Sequence, residues 1–391
     1  MSRRSLHVRH GLALALCIGA IFAAYANSFQ VPFLFDDIPN IRDNYTLHAA
    51  TPAEVFHARY MAGSFLRYAG FVSFAMNHLF FGLATPGYHL TNILIHAAAA
   101  WVLYLLVHLT LTLPRFNPAT HRWAGPAALA CALLWALAPV QTEAVTYIVQ
   151  RFTSLAALWF LASFLLYIKG RLCLAGGRPR IGWGLIAAGI VTYGLAMLTK
   201  ENTIVLPLVV MVYEYLFIHP PDRLDLRKLA AMVLLLGLAV GLMGLVNAHV
   251  FTFLQLYDIR PFTLTERILT EFRVMVHYLQ LIVVPLPSLL NLDKNFPIST
   301  GLLSPPATLL AALFLLALLV VSRLTFKRDP LIAFGILWFF INNIVESTIV
   351  PLEIVFDHRV YLPSMGIYLV LVVLVLRCIR GDIGRLEGGR P

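Results

Sequence analysis

The sequence predicts an all-α, polytopic membrane protein with about ten transmembrane helices. Hydrophobic residues make up 60% of the 391 positions and charged residues only 12%, and the mean hydropathy is +0.80. A soluble domain of this size needs more polar side chains on its surface, so lipid is the predicted surrounding. A helix crosses a bilayer with about 17–25 apolar residues. Apolar runs of about this length lie at residues 11–29, 88–112, 124–139, 152–168, 181–198, 202–218, 229–248, 302–322, 331–350 and 360–376.

Two further apolar stretches contain charged or polar residues that a lipid-facing span would not carry. Segment 65–83 contains Arg67 and Asn77, and segment 272–287 contains Arg273 near its start. Irregular or charged helices at membrane depth occur where they lie along the interface or re-enter the bilayer against other protein. Both segments are therefore predicted to be interfacial or re-entrant helices.

The distribution of basic residues predicts the orientation of the chain. Most of the 29 basic residues occur in alternate loops between the predicted helices, as the positive-inside rule expects of the cytoplasmic side. This pattern predicts cytoplasmic amino and carboxyl termini, with a short basic tail at 377–391. It also predicts two large outer loops, at about 30–87 and 249–301. Residues 1–376 are accordingly predicted to form a single transmembrane domain.

Composition also excludes several classes of protein. The formal net charge of +10 follows from the predicted orientation and from attraction to anionic lipid. Nucleic acid is not a predicted partner, because no basic face is interleaved with stacking aromatic residues. None of the four cysteines lies in a predicted outer loop, which argues against a disulfide framework and a CxxC metal site.

The charged residues that hydropathy does not explain gather in five predicted outer segments. Each segment contains acidic and basic residues together, whereas the predicted cytoplasmic loops carry almost only arginine and lysine. Ionisable groups at membrane depth are costly and usually face a cavity or pathway. They predict one chamber open to the outside. The polar residues of these segments are, in order, Asp36, Asp37, Arg42, Asp43, Asn44 and Arg67; Glu143 and Arg151; Lys200 and Glu201; Glu271, Arg273, Asp293 and Lys294; and Asp357, His358, Arg359 and Tyr361.

Such a chamber suits a phosphorylated lipid donor. Arginine grips a phosphate with two parallel N–H groups and lysine adds a point charge. Sugar transfer to a hydroxyl needs a carboxylate base, and its oxocarbenium-like transition state is also stabilised by a carboxylate. Each charged pair taken alone is explained as well by local structure. The same residues also fit a transporter or flippase of lipid-linked saccharide, although Glu214 is nearly alone in the inner half of a predicted span.

Five motifs, in order, carry a resemblance to a known family. They are FLFDDIPNIRDN, GYHLTNILIH, ALAPVQTEAVTYIVQR, AMLTKEN and HRVYLPSMG, and they extend over most of residues 10–376. Together they resemble the membrane part of the TMTC-type O-mannosyltransferases and their bacterial relatives, within the GT-C superfamily of glycosyltransferases. The stretch VPLPSLLNLDKNFP is most similar to the bacterial members. The resemblance implies a GT-C-like fold in a bacterial inner membrane, with the site facing the periplasm or exterior.

The resemblance also implies roles for individual residues. It implies an inverting transfer of a sugar, with mannose as the family's sugar, from a polyprenyl-phosphate donor to a hydroxyl acceptor. Asp36 is then the expected base and Asp37 its support, although which of the two acts is open because adjacent acids titrate together. Arg359 is the expected ligand of the donor phosphate. Further phosphate or positioning candidates are Lys200, Arg151 and His358, and supporting candidates are Glu143, Glu201, Asp357, Tyr361 and Arg67.

The resemblance leaves the acceptor and the metal requirement open. Relatives usually continue into tetratricopeptide repeats, whereas this chain continues into its short basic tail, so the acceptor is expected to be either a protein or a glycan. No metal ligand is predicted, and a divalent cation near Asp36 and Asp37 is an open alternative. The expected partners are thus a polyprenyl-phosphate-linked sugar, a hydroxyl acceptor and membrane lipid.

Overall fold

The computed structural model describes residues 3–59, 67–218, 255–292 and 294–380. In these ranges the regular secondary structure is helical, apart from one isolated bridge between Gly301 and Ser304. The α-helices are α1 (Arg3–Tyr25), α2 (Tyr68–Phe81), α3 (Thr85–Leu111), α4 (Pro118–Ala136), α5 (Thr142–Thr146), α6 (Arg151–Ala175), α7 (Pro179–Met197), α8 (Leu206–Tyr213), α9 (Leu264–Val283), α10 (Ala307–Thr325), α11 (Pro330–Asn343) and α12 (Ser364–Arg380).

The described helices confirm an all-α, polytopic membrane protein. Six helical segments are long and apolar enough to cross a bilayer by length and composition: His10–Gln30, Thr85–Leu111, Ile148–Ala175, Pro179–Met197, Glu201–Ile218 and Ala307–Thr325. A seventh span is formed if α4 and Pro139–Thr146, which are bent by 55° at their junction, count as one. α11 and the apolar part of α12 are shorter than these segments. The predicted span at 229–248 and most of the basic tail lie outside the described residues.

The two segments predicted as interfacial or re-entrant also form helices. Segment 65–83 contains α2, which has 14 residues. Segment 272–287 overlaps α9, which has 20 residues and begins with a capping box, in which Thr263 and Glu266 bond each other's backbone N–H groups. Neither helix is among the described segments that are long and apolar enough to span a bilayer. Their predicted position at the membrane surface stays a prediction.

The chain divides into two compact units. The first consists of Met1–Thr110 with Ala124–Thr203, and the second of Leu111–Trp123 with Ile204–Pro391. In the first unit, α6 and α7 approach closely because small residues lie between them. The Ser163 hydroxyl donates to the Gly189 carbonyl at 2.7 Å. Small residues let membrane helices pack backbone against backbone.

An apolar cluster in the first unit supports the first predicted outer loop. Residues of that loop, of α2 and of the start of α6 contribute to it, including Ile41, Leu47, Phe71, Phe74 and Phe152. The rings of Phe71 and Phe74 both meet Phe152 edge-on, with centroids 5.0 and 5.4 Å away. The loop that carries the charged residues is therefore supported by packed aromatic side chains.

In the second unit, α11 and α12 cross at two facing glycines. A Cβ atom on Gly335 would lie 2.4 Å from the Gly366 carbonyl oxygen, and a Cβ atom on Gly366 would lie equally close to the Gly335 carbonyl. Backbone cannot move aside as a flexible side chain can. The close packing of the two helices therefore requires glycine, which has no Cβ atom, at both positions.

We expect Gly335→Val to destabilise the protein by about 1–3 kcal/mol or more, as overpacking of a close contact does. Thermal unfolding of the purified protein in detergent measures this loss. Gly184→Val on the exposed side of α7 is the control, because a Cβ atom there meets nothing within 4 Å. Equal stability of the two variants would contradict the close approach of α11 and α12.

Candidate active site

The two adjacent acids of the first predicted outer loop occupy very different environments. A tight turn brings the Asp37 N–H to the Leu34 carbonyl at 2.8 Å, and Phe35 within it adopts a φ of +39°. The Asp37 side chain is buried by this turn, with 1% of its surface exposed. Its carboxylate accepts backbone N–H groups from Leu34 at 3.0 Å and from Val149 at 2.7 Å. Asp37 thereby ties the loop to the segment before α6.

Asp36 is exposed and is held only through its backbone. Its N–H donates to the Tyr147 hydroxyl at 2.8 Å, and its carbonyl accepts from the Asn40 side chain at 2.9 Å. Within the described part of the chain, the Asp36 carboxylate has no hydrogen-bond partner. The structure therefore separates one fixed, buried acid from one open acid on a positioned backbone.

Burial, together with the neighbouring charge of Asp36, raises the pKa of Asp37 to about 6. The two backbone N–H groups and the Arg151 guanidinium act in the opposite direction. A carboxyl whose pKa is raised by folding stabilises the folded state below its ordinary pKa and loses that contribution as the pH rises through about 6.

Asp37→Asn is expected to remove this pH dependence. The melting temperature of the wild type should fall, relative to that of the variant, between about pH 4 and pH 6. Paired thermal unfolding curves at several pH values measure the difference. A difference that does not change across this range would show that Asp37 has an ordinary pKa in the folded protein.

The Tyr147 hydroxyl lies close to three carboxylates. Burial raises the pKa of Tyr147, and the charges of Asp36, Asp37 and Glu143 add to that effect. Glu143 is buried on the short helix α5.

No group of three or more histidine, cysteine, aspartate or glutamate side chains among the described residues is arranged to hold a metal ion.

Arg151 is fully buried, and its guanidinium is occupied by protein groups. It donates to the Asn92 side chain at 2.6 Å and to the carbonyls of Ser73 and Tyr88, each at 3.1 Å. It also lies over the Phe74 ring, 4.4 Å from its centroid. These contacts favour a structural role for Arg151, and its role as a phosphate ligand stays a prediction.

The GYHLTN motif explains where these partners come from. Asn92 also donates from its amide to the carbonyls of Val145 and Ile148, and the His89 ring bonds the Val31 carbonyl at 2.9 Å. The Tyr88 hydroxyl donates to the Gly82 carbonyl at 3.0 Å. The motif therefore joins α3 to the loops on either side of it, which is a packing role.

The TKEN segment divides its two charges between different partners. The Lys200 ammonium is buried and donates to the Thr153 hydroxyl at 3.1 Å, in the first turn of α6. Glu201 forms an ion pair with Arg67 at 3.3 Å. Arg67 precedes α2 with a φ of +59° and also lies over the Phe152 ring. Glu201 thus contacts the cation of the first outer loop, and this pair fixes the start of α2.

In the second unit, the strip from Asp357 to Val360 forms a short, buried helical turn. Asp357 forms an ion pair with Lys294, and the His358 ring stacks on Phe356 with centroids 5.1 Å apart. Arg359 is 4% exposed, and its guanidinium donates to the Ile354 carbonyl at 3.1 Å. The guanidinium also interacts with the Tyr278 hydroxyl and with the charges of Glu346 and Glu271.

Tyr361 is fully buried at the end of this turn. Its backbone joins the turn to α12, since its N–H donates to the His358 carbonyl and its own carbonyl accepts from the Ser364 hydroxyl. Packing accounts for its position in the described structure.

The sequence drew attention to Glu271, but not to Arg267 or Tyr278 on the same face of α9, which packs against this region. Arg267 and Glu271 are both buried on α9 and form an ion pair at 3.0 Å, one turn apart. Burial raises the pKa of Glu271 to about 7, and the charges of Arg267 and Arg359 oppose that rise. The signal was available in the sequence, because charges at i and i+4 and Tyr278 fall on the same helical face as Val274.

The fold and the charged groups define the class as an all-helical, multi-pass membrane protein with buried polar clusters in both units. Comparisons with known proteins then confirm the resemblance to the TMTC-type transferases. Protein O-mannosyl-transferase TMTC3 from Homo sapiens is 30% identical over 210 residues, which are 51% of this chain and 21% of that protein. TMTC2 from Mus musculus is 31% identical over 217 residues, which are 53% of this chain and 24% of that protein.

A third relative, Tmtc3 from Drosophila melanogaster, is 31% identical over 231 residues, which are 53% of this chain and 24% of that protein. The matched part of the chain thus spans about a quarter or less of each of these relatives. No family model matches the chain, and no solved structure matches it.

Proposed function

We propose that the chain is an inverting glycosyltransferase that moves a sugar from a polyprenyl-phosphate donor to a hydroxyl acceptor on the extracytoplasmic face of a bacterial inner membrane. The names of the relatives favour mannose as the sugar and a protein as the acceptor. In this reaction Asp36 takes the proton of the acceptor hydroxyl. The oxygen then attacks the anomeric carbon, and the bond from that carbon to the phosphate oxygen breaks.

The observation that carries the proposal is the asymmetry of the two acids. A general base needs a carboxylate within hydrogen-bond reach of the proton that it removes. Asp36 offers an exposed carboxylate on a backbone fixed by Tyr147. Asp37 holds the turn in place, and both of its oxygens are engaged by backbone N–H groups. We therefore assign the base to Asp36 and the support to Asp37.

The departing phosphate needs positive charge more than it needs an acid. Arg359 is the proposed phosphate ligand, because a guanidinium has five N–H donors and the described residues accept only part of them. Lys200 and His358 remain positioning candidates. Glu143 and the pair of Arg67 with Glu201 are proposed to support the first outer loop.

Transfer in lipid nanodiscs tests the proposal. A radiolabelled polyprenyl-phosphate mannose and a serine- or threonine-containing peptide are supplied, and the labelled glycopeptide is measured. Transfer by the wild type is the expected result. Movement of the labelled donor across liposome membranes without a covalent product would instead support a flippase. A free-sugar product with no acceptor dependence would contradict transfer to a hydroxyl.

Removal of divalent cations is expected to reduce transfer less than about twofold. Each Asp37 oxygen already accepts a backbone N–H group, which leaves it fewer lone pairs with which to hold an ion together with Asp36. Rates with EDTA and with added Mg²⁺ or Mn²⁺ measure the dependence. Loss of transfer in EDTA that is restored by Mn²⁺ would place a metal at Asp36.

A further inference from the structure

The polar groups of α9 meet the backbone around Arg359 along one helical face. Arg267, Glu271 and Tyr278 are separated by four and seven residues, which places them on the same side of a helix. All three side chains are buried. Buried charges and hydroxyls are retained where they are paired with other groups, and here those groups belong to the segment that leads into the Asp357 turn.

Arg267 anchors the first part of that segment. Its guanidinium donates to the carbonyl of Glu346 at 2.8 Å, to that of Thr348 at 3.1 Å, and to that of Leu352. The planar Arg267 guanidinium thereby holds three carbonyls that are spread over seven residues, and Glu271 is its counter-ion. The backbone that precedes Arg359 is thus attached to α9.

Tyr278 continues this attachment to Arg359 itself. Its hydroxyl accepts the Phe356 N–H at 3.2 Å and interacts with the positive charge of the Arg359 guanidinium. Burial raises the pKa of Tyr278, so the group is a neutral hydroxyl. The guanidinium also lies over the Phe356 ring, 5.3 Å from its centroid. The Tyr278 hydroxyl therefore holds Phe356, on whose ring Arg359 stacks, and also interacts with Arg359 itself.

We propose that Tyr278 is a positioning residue, whose hydroxyl fixes the Arg359 guanidinium in the orientation that receives the phosphate of a lipid-linked sugar donor. The inference rests on the proposed function and adds to it a residue on a different helix. A guanidinium binds phosphate well only when its planar fork is aligned with the oxygens. A free arginine side chain would lose rotamer freedom on binding, and Tyr278 removes part of that loss in advance.

Tyr278→Phe removes this hydroxyl and keeps the ring. We expect the KM for polyprenyl-phosphate mannose to rise about tenfold, while kcat changes less than about twofold. Tyr257→Phe is the matched control. Its hydroxyl bonds the Ile349 carbonyl at 2.9 Å and so tethers the same segment, but the structure gives Tyr257 no contact with Arg359. That variant is expected to keep the KM of the wild type.

A double-mutant cycle shows whether the effect passes through Arg359. In an Arg359→Gln background, Tyr278→Phe should raise the KM no further, because the group that it positions is gone. Additive increases in KM would overturn the inference, and so would equal increases in the two tyrosine variants.

The outcomes separate this inference from the proposed function. Transfer by the wild type with an unchanged KM in Tyr278→Phe overturns the inference alone, even if the variant is less thermally stable. Absence of transfer by the wild type overturns the proposed function and the inference with it.

Discussion

Asp36→Asn is expected to lower the rate of sugar transfer by about 10²–10⁴-fold, which is the usual contribution of a general base. Asparagine keeps the size of the side chain but cannot accept the acceptor's proton. The backbone N–H that bonds Tyr147 is unaffected, so the turn should stay in place. The melting temperature should therefore match that of the wild type. Because the base acts in the chemical step, we expect the loss in kcat and not in the donor KM.

Asp43→Asn is the control for this experiment. Asp43 lies on the same loop and is exposed, and its ion pair with Arg42 at 2.8 Å is on the surface. Exposed ion pairs contribute little to stability, so this variant should transfer sugar at the wild-type rate. Full activity of the Asp36→Asn variant would show that Asp36 is not the general base. If Asp37→Asn alone abolished transfer in a stably folded protein, the two assignments would have to be exchanged.

Arg151→Met is expected to destabilise the first unit by about 3 kcal/mol or more. The change removes the Arg151 donors from two buried acceptors, on Asn92 and Tyr88, and from a partly buried one on Ser73. Each unpaired buried acceptor costs about 1–3 kcal/mol. Methionine fills much of the volume, so a cavity is not the main cause. Thermal unfolding in detergent and the yield of folded protein measure the loss.

The control is Arg42→Met, at an exposed arginine whose only described ion pair is with Asp43. It should unfold at the wild-type temperature. Activity of Arg151→Met, per folded molecule, should show an unchanged KM for the donor. A raised donor KM in a variant of normal stability would instead return Arg151 to the phosphate site predicted from the sequence.

The fold class followed from local properties of the sequence. Runs of apolar residues predicted the helices α3, α6, α7 and α10, and interruptions by charge distinguished α2 and α9 from the apolar spans. Prediction from local sequence succeeds here because each helical segment enters the bilayer according to its own length and hydrophobicity. A helix satisfies its own backbone hydrogen bonds and needs only length and hydrophobicity to enter lipid.

The sequence supplied most residues of the candidate site, and their roles in catalysis stay predictions. The sequence drew attention to Asp36, Asp37 and Arg359, because charged residues stand out against apolar surroundings. It also offered Arg151 as a phosphate ligand, where the structure shows a buried arginine held by protein groups. Tyr278 was passed over, since one tyrosine in an amphipathic helix carries no signal of its own.

By itself, the sequence determined that the chain is helical and membrane-embedded, and that its acids and bases gather outside the predicted apolar spans. The tertiary structure decided which of these groups are exposed and which are buried and hydrogen-bonded to protein. The Asp37 carboxylate accepts a hydrogen bond from the Val149 N–H, 112 residues away. The Arg151 guanidinium donates to groups that are 59 to 78 residues away. Burial and hydrogen bonding depend on such distant partners, and no pattern within a single segment specifies them.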